Sequence, residues 1–443
     1  MDAIVTKSSA DEISVTQSSA RGWYVVSLLC LLFIFSFVDR LILSLLTAGI
    51  GQDLNVSDTQ LGLLIGTSFA VVYSLAGIPL AHFLDRTNRK RILVAGVVLW
   101  SGMTIASGFA SSFGMLAVFR AGVALGEAVL TPAAVSLIAD MFPREKRVLP
   151  TAVYAAMSSL MGVGGLIIGA AALQLAESVS PSVGLAPWRI VLVIAGLPAL
   201  VLAILFALTV REPVRGRFDG PVAVRMEDSG FGAFLSYLRS NAAFYLPFYL
   251  GTALVVTYLF GIMTWTPTLL IRGHEADAAS AGYSFGLVGM SFGLLGAIFW
   301  PRLVVVLGRR GWRDPIILGL VLGCLVGAPV MTLAPAMPSE ALLLGGMGVV
   351  VFMGASIASL LPIAIQTYGP PHLRARLMSF VMLSQSLIGY GLGPPLIAKI
   401  AGRWEGDGMA FGYALLIAGL AMTPAAGLCY FFARRGLARA PLP

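Results

Sequence analysis

Long apolar runs, broken by short polar joints, recur along nearly the whole chain. A helix of about 20 apolar residues crosses a bilayer core. By that measure the runs predict twelve membrane helices, at 23–50, 58–84, 90–110, 113–140, 148–175, 186–210, 241–271, 277–307, 314–334, 339–367, 373–402 and 408–433. One joint is long and polar, from Arg211 to Ser229, and it divides the helices into two sets of six. The pattern therefore predicts a cytoplasmic tail over 1–22, a six-helix bundle over 23–210, a linker over 211–240, a second six-helix bundle over 241–433 and a cytoplasmic tail over 434–443. Within the linker, Phe231 to Ser240 reads as a short amphipathic helix on the membrane surface.

Composition agrees with this pattern. Of the 443 residues, 58% are hydrophobic and 11% charged, where a soluble domain carries roughly 25% charged residues. The expected class is an all-α integral membrane protein. Orientation follows from Lys and Arg, which gather on the cytoplasmic side. With the N-terminus inside, only Arg189, Arg272, Lys399 and Arg403 fall outside and Arg40 and Arg120 lie within helices; all the others of the 29 basic residues fall inside. Both termini are expected in the cytoplasm, in a bacterial inner (plasma) membrane. The net charge of +8 is thus a topology signal, and no nucleic-acid partner is expected. The Ser-rich start lacks the features of a cleaved signal, so the first helix reads as a retained anchor.

Catalytic and metal chemistry find little support. Cys30, Cys324 and Cys429 lie in apolar runs without the spacing of a metal site or a disulfide framework. His82, His274 and His372 fall near helix ends, and no phosphate-binding Gly-x-x-x-x-Gly-Lys-[Ser/Thr] loop is present. No enzyme activity, cofactor or metal is expected. A channel would need a continuous polar lining, whereas deep charges occur in one half only.

Those charges are the main chemical signal. Phe37-Val-Asp39-Arg40 sits inside the first helix, and Arg120-Ala-Gly122-Val-Ala-Leu-Gly126-Glu127 inside the fourth. An unpaired charge at the bilayer centre costs about 2.5–3.5 kcal/mol on the mildest scale. Arg120 and Glu127 are two helical turns apart on one face, about 10 Å along the axis. Asp39 and Arg120 fall at similar depth. Asp39, Arg40, Arg120 and Glu127 are therefore expected to form one polar cluster, with Asp39 paired to Arg120 or Arg40 and Glu127 competing for Arg120. Burial favours the neutral carboxyl, and an adjacent guanidinium favours the carboxylate. A movement that separates them would couple protonation to conformation, which makes Asp39, Glu127 and Arg120 the candidate proton-coupling residues. The other reading is a static network that only fixes helix packing.

The second half offers an apolar wall with a few polar groups. Tyr258 and Trp265 in the seventh helix, Ser359 in the tenth and Gln385 in the eleventh are candidate substrate contacts, beside Arg40, Arg120 and Glu127. The eighth helix is rich in glycine. Met141-Phe-Pro143-Arg-Glu-Lys146 and Gly369-Pro-Pro371-His-Leu-Arg374 occupy matching joints of the two halves. With equal helix counts, they point to a duplicated six-helix unit with its site between the halves, as in secondary transporters.

Two motifs sharpen this. Ala81-His-Phe-Leu-Asp85-Arg86-Thr-Asn88-Arg89-Lys90, between helices two and three, resembles the Gly-x-x-x-Asp-Arg-x-Gly-Arg-Lys signature of the major facilitator superfamily. Ala81 and Asn88 replace its glycines, and asparagine is the residue after glycine that best tolerates a left-handed turn. The Arg120-x-Gly-x-x-x-Gly126 run resembles the same superfamily's fourth-helix motif. Within it, Phe37-Val-Asp39-Arg40 followed by Ser57-Asp58-Thr-Gln60-Leu-Gly-Leu-Leu resembles the spinster branch, where Asn-Tyr often stands in place of Ser36 and Phe37. The resemblance implies a fold of twelve transmembrane helices in two pseudo-symmetric bundles. It also implies gating by Asp85, Arg86 and Arg89, with Asp140, Arg144 and Arg374 in the same group. Asp85 and its arginines would latch the halves in one inward-facing arrangement, Asp85 acting near the start of the eleventh helix. The implied function is proton-coupled secondary transport by alternating access of an amphipathic, lipid-like substrate such as a lysophospholipid or sphingolipid, with an arginine on its anionic head. An organic-anion or drug carrier of the same superfamily is the alternative within transport, and a membrane receptor or enzyme the alternative outside it. The expected partners are that substrate, protons and the lipid bilayer, and the expected state is a monomer.

Overall fold

The computed structural model describes residues 2–143, 146–215, 218, 231–370 and 373–439. Among these, no strand occurs and twelve helices are long and apolar enough to cross a membrane. We number them α1 (Asp2–Leu54), α2 (58–86), α3 (Arg89–Ser107), α4 (Phe113–Met141), α5 (Val148–Val183), α6 (Pro187–Thr209), α7 (Ala242–Gly273), α8 (Ala278–Arg309), α9 (Pro315–Ala336), α10 (Glu340–Tyr368), α11 (374–404) and α12 (Ala410–Arg439). They follow the apolar runs closely, because a chain in lipid satisfies its backbone polar groups within helices. The helix of α1 begins at Asp2, ahead of its apolar part at Ala20, so the segment expected as a tail continues the first helix. The linker helix Phe231–Ser240 is present, while 216, 217 and 219–230 lie outside the described residues.

Local chemistry sets several boundaries. Ser57, Asn88, Ser112, Asp277 and Ser339 each accept a backbone N–H in the first turn of the helix that follows, satisfying donors that a helix start leaves free. Pro187 and Pro315 open α6 and α9, where a missing N–H costs nothing. Asn88 has φ −74°, so it serves as a helix cap rather than as a left-handed stand-in for glycine. Pro132 clashes with the carbonyl four residues before it, and α4 breaks at that place, between Phe113–Glu127 and Leu130–Met141. Glu127 therefore ends a helical segment.

The two halves pack through α5 against α8 and through α2 against α11. The glycines of α8 face α5: a Cβ on Gly282 would stand 2.9 Å from Ala170, and one on Gly286 2.7 Å from Ile167. Only small residues allow backbones this close. One apolar core runs through both halves, from Leu41 and Leu166 to Phe285 and Leu415; a second lies in the first half around Trp100, Leu137 and Phe206. Polar links also join the halves. Thr47 and Thr268 share a hydrogen bond of 3.0 Å. Arg272 donates to both oxygens of Asp58 at 2.6 and 2.9 Å, and Tyr283 donates to Gln174 at 3.0 Å.

Both α2 and α11 carry a wider π turn, at Leu63–Ser68 and Gln385–Tyr390. Such turns recur at functional places in helices. Pro394 and Pro395 follow in α11, and each leaves free the carbonyl four residues earlier, on Tyr390 and Gly391. Thr67 donates to the Gly391 carbonyl at 2.6 Å. Gly66 lies so close to the Tyr390 carbonyl that a Cβ there would stand 2.7 Å from it. The first half thus seats itself on backbone groups that proline has released in the second.

Candidate functional site

Four charged side chains from α1 and α4 meet inside the first half. Arg120 Nη1 donates to Asp39 Oδ1 at 3.3 Å, and Arg40 Nε donates to Glu127 Oε2 at 2.6 Å. Thr104 of α3 adds a hydroxyl donor to Asp39 Oδ2 at 2.9 Å. Asp39, Arg120 and Glu127 are buried. The Arg40 side chain alone keeps appreciable exposure, at 15%, against 0–3% for the other three.

The pairing is crossed. Asp39 and Arg40 are neighbours on α1 and diverge by about 100° around the helix. Each takes the opposite charge from α4, where Arg120 and Glu127 lie two turns apart. Glu127, expected to compete for Arg120, pairs instead with Arg40. Arg40, expected as one of two partners for Asp39, is thereby tied into the cluster through Glu127. Two opposite pairs leave the buried site neutral, which lets it persist in a medium that penalises net charge. Satisfaction is incomplete: Arg120 Nε and Glu127 Oε1 are buried without a hydrogen-bond partner among the described residues.

Aromatic rings complete the surroundings. The Arg40 guanidinium lies 5.4 Å from the Phe37 ring, 4.8 Å from Phe69 and 4.8 Å from Tyr73. Arg120 lies 5.9 Å from the same Phe69 ring. Cation–π attraction of this kind offsets part of the lost hydration of each arginine.

The other expected contacts are arranged differently. Tyr258 is fully buried and its hydroxyl donates to the Met331 carbonyl. Trp265 is fully buried, donates to the Pro394 carbonyl at 2.8 Å and stacks on Phe411 at 4.3 Å. Both were expected on a substrate wall; in this conformation both are packing residues between helices. Ser359 turns its hydroxyl back to the Ala355 carbonyl at 2.5 Å. Gln385 opens the π turn of α11 and is partly exposed.

At the end of the first half where α2 passes into α3, Arg89 is the central group. It is buried, bonds to Asp140, donates to Glu212 at 2.8 Å and to the Ser136 hydroxyl at 2.9 Å, and reaches the Pro213 carbonyl at 3.1 Å. Glu212 also accepts the backbone N–H of Lys90 at 2.8 Å. Arg89 and Asp140 are thus brought together, with the start of the linker as a third party. Arg86 is exposed, and Arg374 donates to the Gly369 carbonyl of its own joint at 3.0 Å. The Asp85 side chain and Arg144 lie outside the described residues.

Gly126 permits the close approach of α3 and α4 that holds this frame; a Cβ there would stand 2.7 Å from the Trp100 nitrogen. The model of the Major Facilitator Superfamily matches residues 28–394. The chain belongs to the Major Facilitator Superfamily. Its family and its helical fold make it a multi-pass membrane transporter and point to transport rather than catalysis. Within the superfamily it is spinster-like. It is 26% identical over 412 residues to spinster homolog 1 of Homo sapiens, covering 87% of this chain and 74% of that protein. It is 29% identical over 419 residues to an MFS-type efflux pump of Mycolicibacterium smegmatis, covering 93% and 92%. A solved bacterial homologue of the human lysosomal transporter spinster, inward-facing and unoccupied, superposes with a TM-score of 0.82 at 26% identity, covering 95% of this chain and 98% of that one.

Several residues of this superfamily member escaped the reading of the sequence. Thr104 is a lone hydroxyl in an apolar helix. Phe69 and Tyr73 look like any aromatic facing lipid. Asp58 did leave a signal: Ser57 and Gln60 form a reciprocal cap at the start of α2, which fixes Asp58 in the first turn, facing Arg272.

Proposed function

We propose that this protein is a proton-coupled secondary transporter that works by alternating access and moves an amphipathic, lipid-like substrate of the lysophospholipid or sphingolipid type. The observation that carries the reading is the crossed pair of buried ion pairs, Asp39–Arg120 and Arg40–Glu127. Glu127 holds Arg40 only while it is a carboxylate. A proton on Glu127 releases the guanidinium, and Arg40, the one member with exposure, then takes the anionic head of a substrate. Asp39 and Arg120 form the parallel, more fully buried switch. Arg89, Asp140 and Glu212 act as the gating frame at the cytoplasmic end, with Asp85, Arg86, Arg144 and Arg374 as further members. The charge distribution supports cytoplasmic termini in a bacterial plasma membrane, and the monomer is the working unit. The spinster relatives favour the lipid-like substrate. The likeness to an efflux pump over nearly the whole length favours the second reading, an organic-anion or drug exporter of the same design.

Uptake into proteoliposomes of a panel of lysophospholipids, sphingoid lipids and organic anions, with and without a pH gradient, tests both. The first reading predicts gradient-driven uptake of at least one lipid, lost in Asp39→Asn. Uptake restricted to organic anions selects the second reading. Transport indifferent to the gradient and intact in Asp39→Asn and Glu127→Gln removes proton coupling.

A further inference from the structure

The charged switch lies wholly in the first half, yet alternating access requires the second half to respond to it. One ring touches both ion pairs: Phe69 lies 4.8 Å from the Arg40 guanidinium and 5.9 Å from that of Arg120. Phe69 also meets the second half. Its ring centroid is 5.8 Å from that of Tyr390, which in turn is 4.1 Å from Phe260 of α7. Phe69 also stacks on Tyr73 at 5.5 Å, and Tyr73 is another wall of Arg40.

The backbone presents these rings deliberately. Phe69 is the first residue after the π turn of α2, and Tyr390 is the last residue of the π turn of α11. A π turn holds one residue more than an α turn, and one residue is worth about 100° of rotation around the axis. In an unbroken α-helix each ring would point to a different face. Beside the rings, Thr67 bonds the Gly391 carbonyl and Gly66 abuts the Tyr390 carbonyl. The two π turns are thus pinned to each other by backbone groups, and the aromatic pair is held between that joint and the arginines.

We propose that Phe69 and Tyr390 transmit the state of the charged cluster to the second half. While Glu127 holds Arg40, the guanidinium stays over Phe69 and the ring stays against Tyr390. When the pair opens, Phe69 loses that attraction and its packing against Tyr390 changes, which shifts the α2–α11 joint. Both are positioning residues: they act through the ion pairs and the joint, without any chemical role of their own. The inference rests on the proposed switching role of the cluster.

The test is a coupling cycle read at the end where Thr47 meets Thr268. Cys30, Cys324 and Cys429 are replaced by Ala, and nitroxide labels are placed at Gln52→Cys in α1 and Ser280→Cys in α8, both exposed positions. Pulsed electron–electron distances in proteoliposomes report the closed and open populations of that end. In the otherwise unaltered protein, Glu127→Gln should change the population ratio about fivefold or more. With Tyr390→Leu, or separately Phe69→Leu, the same Glu127→Gln change should move the ratio by about twofold or less. Tyr390→Phe, which keeps the ring, should restore the full response. A Glu127→Gln shift that survives intact in both leucine variants overturns the transmission role alone. No shift from Glu127→Gln in the parent overturns the switching role of the cluster, and the transmission role with it. Using leucine keeps the joint filled, and retention of the parent distance distribution in the single leucine variants shows that the fold is kept.

Discussion

The two halves share a helix count and a fold but handle buried polarity in opposite ways. In the first half, the buried charged residues Asp39, Arg89, Arg120, Glu127 and Asp140 bond from one helix to another. In the second half, among the described residues, no charged side chain is buried; the buried polar groups are threonine and serine hydroxyls and the ring hydroxyls and indole N–H groups of residues such as Tyr258, Tyr430 and Trp265. Half of the eight buried threonine and serine hydroxyls bond a carbonyl of their own helix: Thr252 donates to Phe248, Thr257 to Ala253, Ser356 to Met353 and Thr423 to Gly419, at 2.7–2.9 Å. A charge that bonds across helices changes the packing when it gains or loses a proton. A hydroxyl that bonds its own backbone does not. On the proposed mechanism, sensing belongs to the first half, and the second half is the body that is moved.

That contrast can be broken most forcefully at the most fully buried pair. Arg120→Leu leaves Asp39 buried without its cation, and removing one partner of such a pair costs about 3–5 kcal/mol. We expect a large drop in thermal stability in detergent and loss of transport; a variant as stable and active as the parent would mean that the pair is dispensable. Next comes Arg89→Ala, which strips Asp140 and Glu212 of their shared donor. Charged hydrogen bonds of this kind contribute about 1.5–3 kcal/mol, and Glu212, partly exposed, can recover hydration. A smaller loss of stability and freer proteolysis of the linker are expected. In the second half, Gly286→Leu should act through geometry, since overpacking costs about 1–3 kcal/mol. It should push α8 off α5 and favour separation of the halves, read as increased labelling of a cysteine at Ile167. Thr257→Val should be nearly silent, about 1 kcal/mol or less, with transport kept. A severe transport defect in Thr257→Val would erase the distinction between the halves.

Much of this contrast was readable along the chain, and the reason is specific. Bilayer crossing forces each apolar run into a helix, so the twelve elements followed from the length and spacing of the apolar runs. Asp39, Arg40, Arg120 and Glu127 stood out because their surroundings are apolar. Their partners did not. Which arginine meets which acid depends on how α1 and α4 are rotated and on the break that Pro132 makes after Glu127. Tyr258 and Trp265 were expected on an apolar wall of the second half with a few polar groups; in this conformation their polar atoms bond the Met331 and Pro394 carbonyls. The π turns left no pattern of their own, so the meeting of Phe69 with Tyr390 emerges only in three dimensions.

The most direct test of the charged cluster as the seat of coupling is accumulation against equilibrium. Proteoliposomes carrying the parent or Glu127→Gln protein receive the best-transported member of the substrate panel under an imposed pH gradient. The parent should concentrate the substrate transiently above its equilibrium level, while Glu127→Gln should only equilibrate it. Equal gradient-driven accumulation by the two proteins would contradict the coupling role of the Arg40–Glu127 pair.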